Sequence, residues 1–169
     1  LAIQQFQRAM RLICALEQIR QWDRYNLGDT QISIGLYVGE SSLPNTRTDL
    51  STECLNWNTI DQATNKRHNS KIPIDKCPYC GGRLTFTLEG NNICFYCSNN
   101  DCFCNPISGN IEGYLPIRLC DEDIYSNPPT LLFGTVDKFA ILGHRVSNNE
   151  SEDSRRLFGL NGCLPPSLI

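Results

Sequence analysis

Six of the chain's ten cysteines fall within the 28 residues from Cys77 to Cys104, in the stretch CPYCGGRLTFTLEGNNICFYCSNNDCFC. Cys77-Pro-Tyr-Cys80-Gly-Gly has the spacing of a metal knuckle. Two thiols two residues apart, followed by glycine, turn onto one point and leave backbone N–H groups free to soften thiolate charge. Cys97 and Cys102 flank Ser-Asn-Asn-Asp, four turn-forming residues that let the chain double back. The predicted ligand set is Cys77, Cys80, Cys97 and Cys102, a tetrahedral all-cysteine site for Zn2+. Cys94 and Cys97 are also separated by two residues. NICFYC reads as a strand, however, in which positions three apart face opposite sides. Cys94 and Cys104 remain alternative ligands.

Four thiolates close the shell, so the zinc is structural and a stand-alone metalloenzyme is disfavoured. An iron–sulfur cluster would take the same number of cysteines, but paired knuckles around a hairpin fit zinc-ribbon spacing better. A disulfide framework is a poorer account of clustered pairs with Cys14, Cys54, Cys120 and Cys163 scattered elsewhere. His68 is read as too far upstream to be a ligand, and His144 as a surface residue.

A second chemical feature is PPTLLFGTVDKFAILGHR. An apolar strand over Thr130–Phe133 runs through a Gly134-Thr135 turn into a helix over Val136–Gly143. Free N–H groups and a hydroxyl at a helix N-terminus make an anion site, and Lys138 adds a positive charge one turn in. The plainer reading makes Thr135 a helix cap with Asp137 and Lys138 solvated. CDEDIY reads as a solvated turn.

These features need a frame. Apolar residues at Ile3, Phe6, Met10, Ile13, Leu16 and Ile19 predict a helix from Leu1 to about Trp22, with Arg8, Arg11 and Glu17 on its polar side. Ile32, Ile34, Leu36 and Val38 alternate as in a strand closed by Gly39. Residues 46–75 are polar and weakly patterned, and read as a surface excursion with a short helix near Ser51–Asn65. Arg83–Leu88 and Asn92–Tyr96 form the hairpin of the cysteine module, which occupies residues 76–105. SNNESEDSRR is a solvated loop, and PPSLI begins another strand. The fold class is α/β: a partial parallel sheet with helices, built from residues 1–45 and 106–169 and interrupted by a projecting four-cysteine β-hairpin insert.

Apolar content of 40%, charged content of 20% and a net charge of −3 are those of a soluble globular chain with no global pull toward nucleic acid. No run reaches the length of a membrane span, and a cytoplasmic location is expected. Both ends read as cut from a longer protein.

The run PPTLLFGTVDKFAILGHR, preceded by LPIRLCDEDIY, resembles the DrmA-like helicases of the DISARM antiphage defence system, and LAIQQFQRAMRLICALEQIR, ISIGLYVGE and CPYCGG resemble the same family in the same order along the chain. The likeness implies a superfamily-2 motor, with this chain an internal piece of its first RecA-like domain. It implies a nucleic-acid partner, namely DNA, together with the remainder of the helicase chain and a defence-complex partner. Thr135 is implied as a phosphate contact of the tracked strand, with Lys138 and Gly39 beside it and Gln4 and Gln5 as lesser candidates. TVDKF stands where common helicases carry TPGR, so that arginine is missing. ATP and Mg2+ are implied for the parent only. The chain has no G-x-x-x-x-G-K-[ST] loop and no acidic pair after an apolar strand, so no catalytic residue is expected in it and it should not hydrolyse ATP alone.

Overall fold

A computed structural model describes residues 2–61, 66–67, 70–108, 113–147, 153–159 and 165–166. In chain order the elements are α1 (Ala2–Arg20), β1 (Ile34–Tyr37), α2 (Arg47–Asn58), β2 (Ile60–Asp61), β3 (Lys66–Arg67), β4 (Leu84–Glu89), β5 (Asn92–Cys97), β6 (Ile117–Arg118), α3 (Asp121–Ser126), β7 (Leu131–Gly134) and α4 (Val136–Ser147). His68, Cys163, part of the SNNESEDSRR loop and the strand expected at Ser167–Ile169 lie outside the described residues.

β1 is the centre of a three-stranded parallel sheet in the order β6-β1-β7. Ile34 lies opposite Ile117 on one side and Leu131 on the other, and Tyr37 lies opposite Gly134. Parallel strands need helices on both faces, and β1 has them. Ile34 and Leu36 share a buried cluster with Phe6, Met10 and Ile13 of α1. Tyr37 clusters with Ile124 and Tyr125 of α3. All four β1 residues are therefore buried. Gly35 is required by close approach: a Cβ there would stand 2.8 Å from Pro129 Cγ and 3.1 Å from Leu132 Cδ1.

The α/β class holds, but the hairpin does not project. β4 and β5 pair antiparallel from Leu84–Cys97 to Glu89–Asn92, and their apolar side joins the same core as α1 and β1 through Leu84, Ile93 and Phe95. The Leu115 N–H donates to the Phe95 carbonyl at 2.7 Å, tying the hairpin to the approach to β6. Residues 46–75 also depart from the expected surface excursion. Thr46 caps α2 by accepting from the Asp49 N–H, and Leu50, Cys54 and Trp57 follow at i, i+4 and i+7, all buried. Trp57 meets Phe95 edge-on at 5.8 Å, and its indole N–H donates to the Ile74 carbonyl at 3.1 Å. Three apolar residues at the right spacing outweigh the polarity of the other positions.

Glu17, expected on the polar face of α1, is 2% exposed. Its carboxylate accepts from Arg20 at 2.6 and 2.8 Å and from the Ile32 N–H at 2.8 Å, locking the end of α1 to the start of β1. Burial would raise its pKa, but the Arg20 and Ile32 hydrogen bonds prevail and hold it below the ordinary value of 4.5. A depressed carboxylate contributes stability above its unfolded pKa and loses it as pH falls through the folded one. Glu17→Ala should cost about 3 kcal/mol in denaturant unfolding, because it removes the carboxylate that offsets the charge of the Arg20 guanidinium. The gap between variant and parent should narrow below pH 4.5.

Candidate metal centre

The first knuckle is built by backbone geometry. The Gly81 N–H donates to the Cys77 carbonyl at 2.9 Å, and the Cys77 N–H donates to the Gly82 carbonyl at 2.8 Å. Gly81 has φ 73°, a left-handed conformation that glycine adopts without strain. Gly82 lets the chain pass close to the sulfurs: a Cβ there would lie 3.1 Å from Cys80 Sγ and 3.3 Å from Cys97 Sγ. The second knuckle leaves β5 at Cys97 and turns through Asn99, whose carbonyl accepts from the Cys102 N–H at 3.0 Å. Asn105, 1% exposed, donates from its amide to the Cys97 carbonyl at 2.7 Å and pins the return.

The two turns bring the sulfurs of Cys77, Cys80, Cys97 and Cys102 within 4.8 Å of one another. Cys77 and Cys102 are 3.6 Å apart and Cys80 and Cys97 are 3.4 Å apart. A disulfide needs about 2.05 Å. A tetrahedron with metal–sulfur bonds of about 2.3 Å has edges of about 3.8 Å, so the spacing fits one ion with four thiolates around it. Two of the sulfurs also meet a backbone N–H: Gly82 donates to Cys80 Sγ at 3.4 Å and Asn99 to Cys97 Sγ at 3.5 Å. Such donors offset the excess negative charge of a four-thiolate site. Four cysteines so placed can bind a metal such as zinc.

The thiols are not alike. Burial raises Cys97 to about 11 and pushes Cys102 up as well. Cys77 is raised first by its contact with the Cys104 thiol and then by burial. At the rim, desolvation opposes ionisation of Cys80, but the Gly82 N–H and the neighbouring thiols bring it down to about 7. Cys94 stands across from Thr87 on the hairpin; its thiol is raised by burial and by Glu89. It is not a member of the four-sulfur group. Cys104 is buried against Cys77 but is likewise not one of the four.

The other predicted residues gather at the carboxyl edge of the sheet. Gly39 follows β1, exposed, and its carbonyl accepts from the Ser42 and Leu43 N–H groups. Thr135 follows β7, half-buried; its N–H donates to the Tyr37 carbonyl, and its own carbonyl accepts from Lys138 and Phe139 as α4 begins. Lys138 faces inward. It is 8% exposed, with its Nζ 2.7 Å from Asp121, 2.8 Å from Asn45 Oδ1 and 4.9 Å from the Tyr37 ring centre. CDEDIY is α3 rather than a solvated turn: Asp121 holds Lys138 and Asp123 holds Arg47 at 2.5 Å. Asn45, Arg47 and Asp121 were not singled out by sequence reasoning, because their partners are distant along the chain. Gln4 and Gln5 are exposed on α1.

No family model matches the chain. It is similar to the DISARM protein DrmA of Bacillus paralicheniformis, with 32% identity over 152 residues. The match covers 84% of this chain and 13% of that protein, so the chain spans about one-eighth of the relative's length and fits a piece of a DrmA-like protein. Among the described residues no helix is long and apolar enough to cross a membrane.

Metal uptake must displace protons from the raised thiols, so affinity should fall as pH falls. Zinc titrated at pH 7 should bind one ion per chain and leave on acidification. Because Trp57 packs on Phe95 of the hairpin, chelation should shift its fluorescence to longer wavelength, read in a Trp22→Phe background. Alkali should act with the opposite sign on the metal-free chain. Burial raises Cys14 and Cys54 from 9.0 to about 12, so its unfolding midpoint should drop as pH climbs above 9.0.

Proposed function

We propose that the chain is part of the motor of a DrmA-like, ATP-dependent helicase or translocase that acts on DNA in antiphage defence in the cytoplasm. Residues 1–45 and 106–169 belong to its first RecA-like domain, and residues 76–105 form a zinc ribbon within it. Thr135 and the N-terminus of α4 hold a backbone phosphate of the tracked strand, with Gly39 on the neighbouring loop. Cys77, Cys80, Cys97 and Cys102 hold a structural Zn2+. ATP and Mg2+ are bound by parts of the parent outside this chain, and defence-complex partners act with the whole protein.

The observation that carries this reading is the similarity to DrmA over most of the chain. A parallel sheet agrees with it: in open α/β sheets ligands bind outside the carboxyl ends of the strands, and both Thr135 and Gly39 stand there. α4 runs for 12 residues from that edge, and its first N–H groups can receive an anion. Lys138 serves as the brace of this edge rather than as a phosphate ligand, since Asp121 and Asn45 already occupy its ammonium.

Binding of a single-stranded oligonucleotide should weaken steeply with salt, because phosphate contacts release counterions. Thr135→Glu, which sets a negative charge against the phosphate, should lower affinity at least tenfold while zinc content stays at one per chain. Binding that ignores salt and Thr135→Glu would favour the other reading, a zinc-ribbon docking module on an inactive α/β scaffold. ATP turnover by this chain alone would contradict the assignment of nucleotide chemistry to the rest of the parent.

A further inference from the structure

We propose that Cys80 is a site of reversible oxidation by peroxides, where a disulfide with Cys97 takes away two metal ligands and releases the ion. This rests on the metal reading above and adds its regulation. Of the four cysteines of the cluster, Cys77, Cys97 and Cys102 are 3%, 0% and 4% exposed, whereas Cys80 lies open at the surface. Its neighbours leave it uncovered. A Cβ at Gly81 would meet nothing within 4 Å, and the Cβ that would stand 3.1 Å from Cys80 Sγ is the one Gly82 lacks. An oxidant in solvent therefore reaches one sulfur of the cluster before the other three.

Distance sets the partner. Cys80 Sγ lies 3.4 Å from Cys97 Sγ, and Cys77 Sγ lies 3.6 Å from Cys102 Sγ. Both pairs join one knuckle to the other. Closing the first pair to the disulfide length of about 2.05 Å takes a movement of about 1.4 Å. The Cys80 thiolate is the nucleophile. It attacks one oxygen of hydrogen peroxide, the O–O bond breaks, and hydroxide leaves with Cys80 as the sulfenic acid. The Cys97 thiolate then attacks the Cys80 sulfur, so that the S–S bond forms, the S–O bond breaks and a second hydroxide leaves. Solvent protons turn both hydroxides into water. Two thiolates have together given up two electrons, and one peroxide has taken them. Cys77 and Cys102 alone remain as ligands, half the set that a closed structural site needs. A thiol reductant reverses the step by exchange and returns both thiolates.

Treating the zinc-loaded whole chain with hydrogen peroxide tests this. Metal release is read with a coloured zinc chelator, and thiols are mapped by alkylation under denaturing conditions followed by peptide mass. One zinc should leave per chain, in step with the appearance of a Cys80–Cys97 disulfide peptide. Labelling of Cys80 and Cys97 should fall roughly tenfold while the buried Cys14, Cys54 and Cys120 keep theirs. Dithiothreitol should restore both the labelling and the uptake of zinc. The proposal fails if the first disulfide joins Cys77 to Cys80 or recruits Cys94 or Cys104. It also fails if Cys80 runs on to the sulfonic acid without pairing, or if zinc leaves while Cys80 and Cys97 still take the label. A chain that takes up no zinc before peroxide is added would instead sink the metal reading itself.

Discussion

Four sulfurs held within 4.8 Å of one another impose the constraint around which the hairpin half of this molecule is arranged. As thiolates, a pair 3.5 Å apart repels by about 5 kcal/mol at an effective dielectric of about 20. Without a cation the cluster stays largely protonated, which is what the raised thiols of Cys77, Cys97 and Cys102 express. With one, the repulsion becomes four short metal bonds. The backbone is shaped for the second case. N–H groups meet the sulfurs of Cys80 and Cys97, Gly81 takes the left-handed turn, and Gly82 leaves room where a methyl group would press on two of the sulfurs.

The consequence reaches past the hairpin, because the hairpin has no core of its own. Leu84, Ile93 and Phe95 are buried with Phe6, Met10 and Ile34, and Trp57 spans from α2 to Phe95 while bonded to Ile74. A small metal module standing free would depend wholly on its ion. This one draws support from the α/β sheet, which supplies the apolar surface that the two cysteine turns adjoin, so a metal held by the four sulfurs would add to a core already in place. The insert is thus better described as a wall of the domain than as an appendage to it.

Local order was legible in the sequence, and long-range order was not. The knuckle spacing, the hairpin between its turns, the helix at Ala2–Arg20 and the strand-turn-helix at Leu131–Ser147 all follow from patterns shorter than 20 residues. The polar pairs do not. Glu17 reads as a solvated charge until Ile32 and Arg20 are seen around it. Lys138 reads as a free cation until Asp121 and Asn45 arrive from segments 17 and 93 residues away in the chain. A helix was legible near Ser51–Asn65, but its start at Arg47 and its burial were not, because its twelve residues carry few apolar side chains and only their spacing sends Leu50, Cys54 and Trp57 inward.

That buried Lys138 changes how the sheet's carboxyl edge should be understood. A lysine on the surface would offer a mobile charge to any anion. Lys138 instead joins three segments: Asn45 after β1, Asp121 at the start of α3, and its own first turn of α4. Removing one partner of such a pair leaves a stranded charge, which costs far more than the pair contributes when intact. The three segments are therefore fixed relative to one another, and Thr135, whose N–H donates to the Tyr37 carbonyl, opens the helix that carries Lys138. An N-terminal turn held in this way is pre-organised: its N–H groups need no reordering when an anion arrives, and little binding energy is spent on placing them. The electrostatics of the edge then come from oriented backbone groups rather than from surplus positive charge, so the phosphate contact proposed above is compatible with a net charge of −3.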